Sequence, residues 1–153
     1  MADAPRTFLD CARGDVEALR KLVVDGNLSP AGPIAFHAQQ AIEKTIKHAL
    51  ETHEIEVPHV HPVGSLLDLA RAEGLVDEVP QAIREAAAHL TRAEAKSRYP
   101  DDFDIGPRYA LDAIVNYDAI VAFLGERGFE VVESGVDVDA LRAAATSGGD
   151  LRT

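Results

Sequence analysis

Between Ile34 and Ala49 the chain presents two chemically different helical faces. At 100° per residue, Ile34, Ala38, Ala41, Ile42, Thr45, Ile46 and Ala49 share one arc. Gln40, Glu43, Lys44 and Lys47 share the other, and Phe36 falls among them. A large aromatic surrounded by charges implies that the polar arc is covered too, by another helix, a second subunit or a ligand. The polar arc is therefore the expected seat of function.

The remaining periodicity predicts four more helices and a tail. The first runs from about Arg6 to Val24 on a stripe of Phe8, Leu9, Ala12, Val16, Leu19 and Val23, and Asp25-Gly26-Asn27 stops it. The second, holding the two faces, is expected from about Pro33 to His53. His61-Pro62 reads as the entry to a third, with Leu66, Leu67, Leu69 and Ala70 before Gly74. A fourth begins near Asp77 or Val79 and ends near Ser97, because Pro100 bars its extension. The fifth, Arg108 to Arg127, is apolar nearly all round and is expected to lie centrally. Phe129 to Glu133 has strand-like content with no partner strand elsewhere, so pairing there would need another chain. A short helix from Asp137 to Ala145 follows before a polar end. The expected fold is all-α, an up-and-down bundle of about five helices over 1–128 with a short irregular tail over 129–153.

Charge and composition exclude several classes. With 26 acidic against 15 basic residues, the net charge of −11 argues against unaided, tight binding to nucleic acid, which needs clustered Lys and Arg. It suits a chain that meets a basic partner. There is no apolar run long enough to cross a membrane and no signal-like start, so a cytoplasmic protein is expected. The single cysteine, Cys11, has no disulfide partner in this sequence and reads as a small residue on a helix.

The stretch Phe36-His37-Ala38-Gln39-Gln40-Ala41-Ile42-Glu43-Lys44-Thr45-Ile46-Lys47 closely resembles the F-h-A-q-Q-A-x-E-K-x-x-K helix of HEPN domains (higher eukaryotes and prokaryotes nucleotide-binding). Two signposts follow in the family's order. One is a histidine opening the next helix, here His61, followed by Leu66-Leu67. The other is an R-Y-P-D segment before the last long helix, here Arg98-Tyr99-Pro100-Asp101. The resemblance covers about Arg6 to Arg127 and leaves out the tail. It implies a helical bundle, often a homodimer and often the partner of a minimal nucleotidyltransferase in toxin–antitoxin-like pairs. Some members are RNases, others bind nucleotides or serve as adaptors, so the resemblance narrows fold more than activity.

The RNase signature implied by the family is Arg, four to six residues, then His. Here the arginine would stabilise phosphate charge and the histidine would exchange protons. Arg84 and His89 are the match, but they lie in the fourth helix rather than near the last long one, and no histidine follows Arg98. Positions five apart on a helix also diverge by about 140°. Arg84 and His89 are thus weak catalytic candidates, and a non-catalytic binding module is expected.

For a nucleotide, Lys44, Lys47 and Arg98 offer charge to phosphates, Tyr99 a stacking face and Gln40 both donor and acceptor. Glu43 and His61 complete the candidate set. Against this, Glu43 and Lys47 form an i,i+4 pair sufficient for an exposed helix, and Gln40, Glu43 and Arg98 suit a structural network between the second helix and the loop before the fifth. A subunit interface, which Phe36 favours, is the third alternative. No metal or cofactor is expected. His48, His53, His59 and His61 lack the spacing of convergent ligands, and Asp101, Asp102 and Asp104 do not follow the EF-hand pattern. Neither a Gly-x-Ser-x-Gly motif nor a phosphate-cradling glycine loop is present.

Overall fold

A computed structural model describes residues 6–59, 62–97 and 106–148. Six helices follow one another: α1 Phe8–Leu22, α2 Ala31–Thr52, α3 Val63–Ala72, α4 Gln81–Ser97, α5 Pro107–Glu126 and α6 Val138–Gly148. Among the described residues no strand forms, and the one β-type pairing is an isolated bridge between Val24 and Asn27. The fold is all-α, as expected.

Local chemistry sets the helix ends. Thr7 caps α1: its Oγ1 accepts the Asp10 N–H at 3.1 Å, and the Asp10 carboxylate accepts the Thr7 N–H at 3.0 Å. The Thr7 N–H, with the Thr7 hydroxyl beside the same carboxylate, holds the Asp10 carboxyl below its ordinary pKa. Asp25 and Gly26, both at positive φ, turn the chain away after α1. α2 starts at Ala31, two residues before the expected Pro33. Pro33 fits inside its first turn because N–H groups there have no intrahelical acceptor. α4 starts later than expected, at Gln81, because Pro80 drives the preceding residue out of helical conformation. The Pro80 carbonyl then accepts the Ile83 and Arg84 N–H groups. Pro107 occupies the first position of α5, and the Asp137 carboxylate accepts the Ala140 N–H to start α6.

α2 is the hub. It packs against α1, α3, α4 and α5, whereas α5 packs against α2, α4 and α6. Fourteen of its 22 residues are buried, so the centre expected of α5 is shared with α2. Ile34, Ile42, Ile46 and Leu50 from α2 meet Leu19, Leu66, Leu67, Leu90, Ile114, Ile120 and Leu124 in one continuous core. Each fully buried aliphatic side chain stabilises that core by about 1.5–3 kcal/mol.

The segment 129–136 makes no strand. It crosses the helices as an extended strap whose carbonyls are met by helix side chains. Arg20 Nε donates to the Ser134 carbonyl at 2.7 Å and Arg20 Nη2 to that of Glu133 at 3.1 Å. The buried Tyr117 hydroxyl donates to the Val132 carbonyl. The pairing that would need another chain is replaced by acceptors matched to donors on α1 and α5. At Gly135 the backbone lies at φ +69°, which favours glycine, and a Cβ there would press on the Arg20 guanidinium, 2.6 Å from Nη2. Ser134 and Leu141 are buried, and Phe129, Val131, Val132, Val136 and Val138 pack on the core. The chain beyond Gly128 is thereby part of the packed body as far as its described side chains extend.

Candidate functional site

The polar arc of α2 is covered, mostly by its own chain. Glu43 is 3% exposed and Lys47 7%. Their Oε1 and Nζ atoms lie 2.8 Å apart, and Gln39 Nε2 donates to Glu43 Oε2 at 3.1 Å. The pair expected for an exposed helix surface is therefore made one turn apart as predicted, but it is a buried salt bridge. A buried carboxylate and ammonium hold their charges only through such mutual contact. Gln40 is half-buried, and its amide donates to Gln39 Oε1 at 2.8 Å.

Lys44 turns toward α1, where its Nζ lies 2.7 Å from Asp15 Oδ2. The other oxygen of Asp15 takes His37 Nδ1 at 2.9 Å. Asp15 thus clamps two α2 side chains from the neighbouring helix. Phe36 is half-buried and meets the His37 ring edge-on, with centroids 5.5 Å apart. Asp15, His37 and Gln39 were not among the candidates. The signal that would have found Asp15 is its place on the α1 stripe, three residues after Ala12 and four before Leu19, where a carboxylate must be paired.

His48 lies one turn beyond Lys44. It is buried, and neither ring nitrogen has a hydrogen-bond partner. Its Nε2 is 3.6 Å from Glu130 on the strap, beyond hydrogen-bond range. His53 instead directs Nδ1 to the Ala49 carbonyl and packs edge-on against Phe129. Among the described residues, no three His, Cys, Asp or Glu side chains converge as metal ligands would.

The two weak catalytic candidates part company. Arg84 Nη1 binds Asp68 Oδ1 at 2.7 Å across α3 and α4, beside an open cleft of about 460 Å³ that Thr91 and Arg92 also line. His89 lines a separate pocket of about 110 Å³ with Tyr109, Asp112 and Asn116 on α5. Burial raises the pKa of Tyr109 there. Arg84 and His89 are not brought together. His61, Arg98 and Tyr99 lie outside the described residues, as do Asp101, Asp102 and Asp104.

The geometry available on α2 orders helices; each of its two lysines already has a carboxylate. A family model for the HEPN domain matches residues 6–127, and the chain belongs to that family. Comparisons with curated proteins and with solved structures gave no match.

Proposed function

We propose that this HEPN-domain chain is a non-catalytic binding module that works by contact with another protein. The partner classes that the resemblance implies are a second copy of the chain and a nucleotidyltransferase. One observation carries the reading: Lys44 and Lys47, the lysines best placed for a phosphate, are already held by Asp15 and Glu43, the second pair out of water. A nucleotide would have to break those pairs and leave a buried carboxylate uncompensated, a cost of several kcal/mol. The separation of Arg84 from His89 supports the same reading, because proton exchange and phosphate stabilisation must converge on one phosphodiester.

A nucleotide-binding reading is favoured by a different observation. Arg92 is exposed, makes no hydrogen bond or ion pair among the described residues, and stands near Tyr109. In that reading Arg92, rather than Lys44 or Lys47, meets the phosphates.

The deciding experiment incubates the purified chain with labelled RNA and, separately, follows its thermal unfolding with ATP, GTP and their mono- and diphosphates. The expected result is intact RNA and an unchanged melting temperature. Cleavage that disappears in Arg84→Ala or His89→Ala would establish an RNase. A nucleotide-dependent rise in melting temperature that disappears in Arg92→Ala would establish the second reading; a bound ligand at a hundredfold its Kd stabilises by about 2.7 kcal/mol.

A further inference from the structure

Two cavities flank the strap and share Gly135 and Val136 as a wall. The larger, about 520 Å³, opens between the end of α1 and the start of α6, with Val23, Ala140 and Leu141 lining it and Asp137 at its edge. The smaller, about 310 Å³, lies against α5 and is lined by Val121 and Ala122 together with Asp118 and Glu133. Apolar lining and carboxylates therefore sit side by side. Beside the end of α1, Val24 is 56% exposed, the exposed large hydrophobic among the described residues.

Charge around this double groove is one-sided. Asp118, Glu133 and Asp137 line its two cavities, and α5 beside it is followed by Arg127. That guanidinium lies 3.8 Å over the Phe123 ring and donates to the Phe123 carbonyl, so it is occupied. Arg20, the cation that lines the larger cavity, spends two of its donors on the Ser134 and Glu133 carbonyls. Glu133 and Asp137 are exposed. Asp118 is half-buried, and desolvation raises its pKa despite the Ser134 hydroxyl beside it. A cation placed there would favour its charged form.

We propose that this double groove docks a basic amphipathic segment of a partner protein, with apolar side chains in the α1–α6 cavity and a lysine or arginine between Asp118 and Glu133. The inference rests on the protein-contact reading and names the surface and the chemistry of the partner. A phosphorylated or acidic partner would meet Asp118, Glu133 and Asp137 and be repelled. A second copy brings its own net charge of −11, which opposes self-association through this face.

The test titrates the full chain, with Val and Leu methyl groups observed by NMR, with an amphipathic Leu/Lys peptide of about 18 residues, five helical turns. A Leu/Glu peptide of the same pattern is the control. Saturable shifts are expected at Val23, Val121, Val136 and Leu141 with the Leu/Lys peptide alone. Glu133→Gln combined with Asp118→Asn should weaken binding about tenfold at low salt. Ala140→Arg, at an exposed position, should abolish binding while leaving the remaining methyl spectrum in place. The absence of shifts, shifts scattered over other acidic surface, equal binding of the Leu/Glu peptide, or affinity unchanged in both variants would each overturn the proposal. Any of these with intact RNA would remove the groove and leave the protein-contact reading standing. RNA cleavage would remove that reading whatever the peptide does.

Discussion

The polar arc of α2 and the strap after α5 solve the same problem with different partners. Each holds polar groups against the packed helices. On α2 the solution is side chain to side chain and partly within one helix: Glu43 to Lys47 at one turn, and Asp15 to Lys44 and His37 from the adjacent helix. On the strap it is backbone to side chain across the length of the chain, from Arg20 to residues 133 and 134 and from Tyr117 to Val132. A buried ion pair fails severely when one partner is removed, because the other charge is stranded. A carbonyl released at the surface finds water, so the strap should fail locally and at less cost.

Four measurements sharpen or break this contrast, beginning with the largest effect. Lys47→Met strands Glu43 and should destabilise the fold by about 3 kcal/mol, lowering the melting temperature by roughly 6–12 °C. If Glu43→Gln added to it recovers none of that loss, the stranded charge is not the cause. Arg20→Ala should cost about 2 kcal/mol. Its signature is faster amide exchange over 129–143 with α2 protection retained. Loss of protection in both regions together would mean that the strap is no separate unit.

Tyr117→Phe removes one hydrogen bond and should cost about 1 kcal/mol at neutral pH. Burial pushes the Tyr117 hydroxyl well above its usual 10.0. The folded protein therefore keeps a proton that the unfolded chain releases, and wild-type stability should fall as pH rises past 10.0. That fall should be shallower in Tyr117→Phe, as urea midpoints between pH 8 and pH 11 would show; identical slopes would remove the buried hydroxyl from the account. The smallest effect belongs to Arg84→Ala. Its pair with Asp68 is solvent-exposed, and the loss should stay within about 0.5 kcal/mol in a denaturant titration. A larger loss would make Arg84 structural.

The periodic parts of this molecule could be read directly from the sequence. The stripe on α1, the two arcs of α2 and the Glu43–Lys47 spacing are encoded within a few residues, and helix formation follows from them. What periodicity could not supply was which charges lie inside. Lys47 reads as a surface residue by type, and only the packing of neighbours around α2 takes it out of water. Asp15 is hidden from periodicity for a related reason: its partners, His37 and Lys44, stand 22 and 29 residues later. The strap shows the same limit from the other side. Val131 and Val132 favour extended backbone, which was legible; that helix side chains would take the place of a neighbouring strand was not.

The Arg20 clamp also changes where this protein can be divided. Similarity to the family ends at residue 127, yet the acceptors for α1 come from residues 133 and 134. A polypeptide stopped at 127 would possess α1 to α5 and still lack the piece that closes over the first of them. During synthesis the same logic runs in time: α1 emerges early, and its guanidinium waits more than a hundred residues for the carbonyls that hold it. The stretch shared with the family and the stretch that closes over α1 thus have different ends.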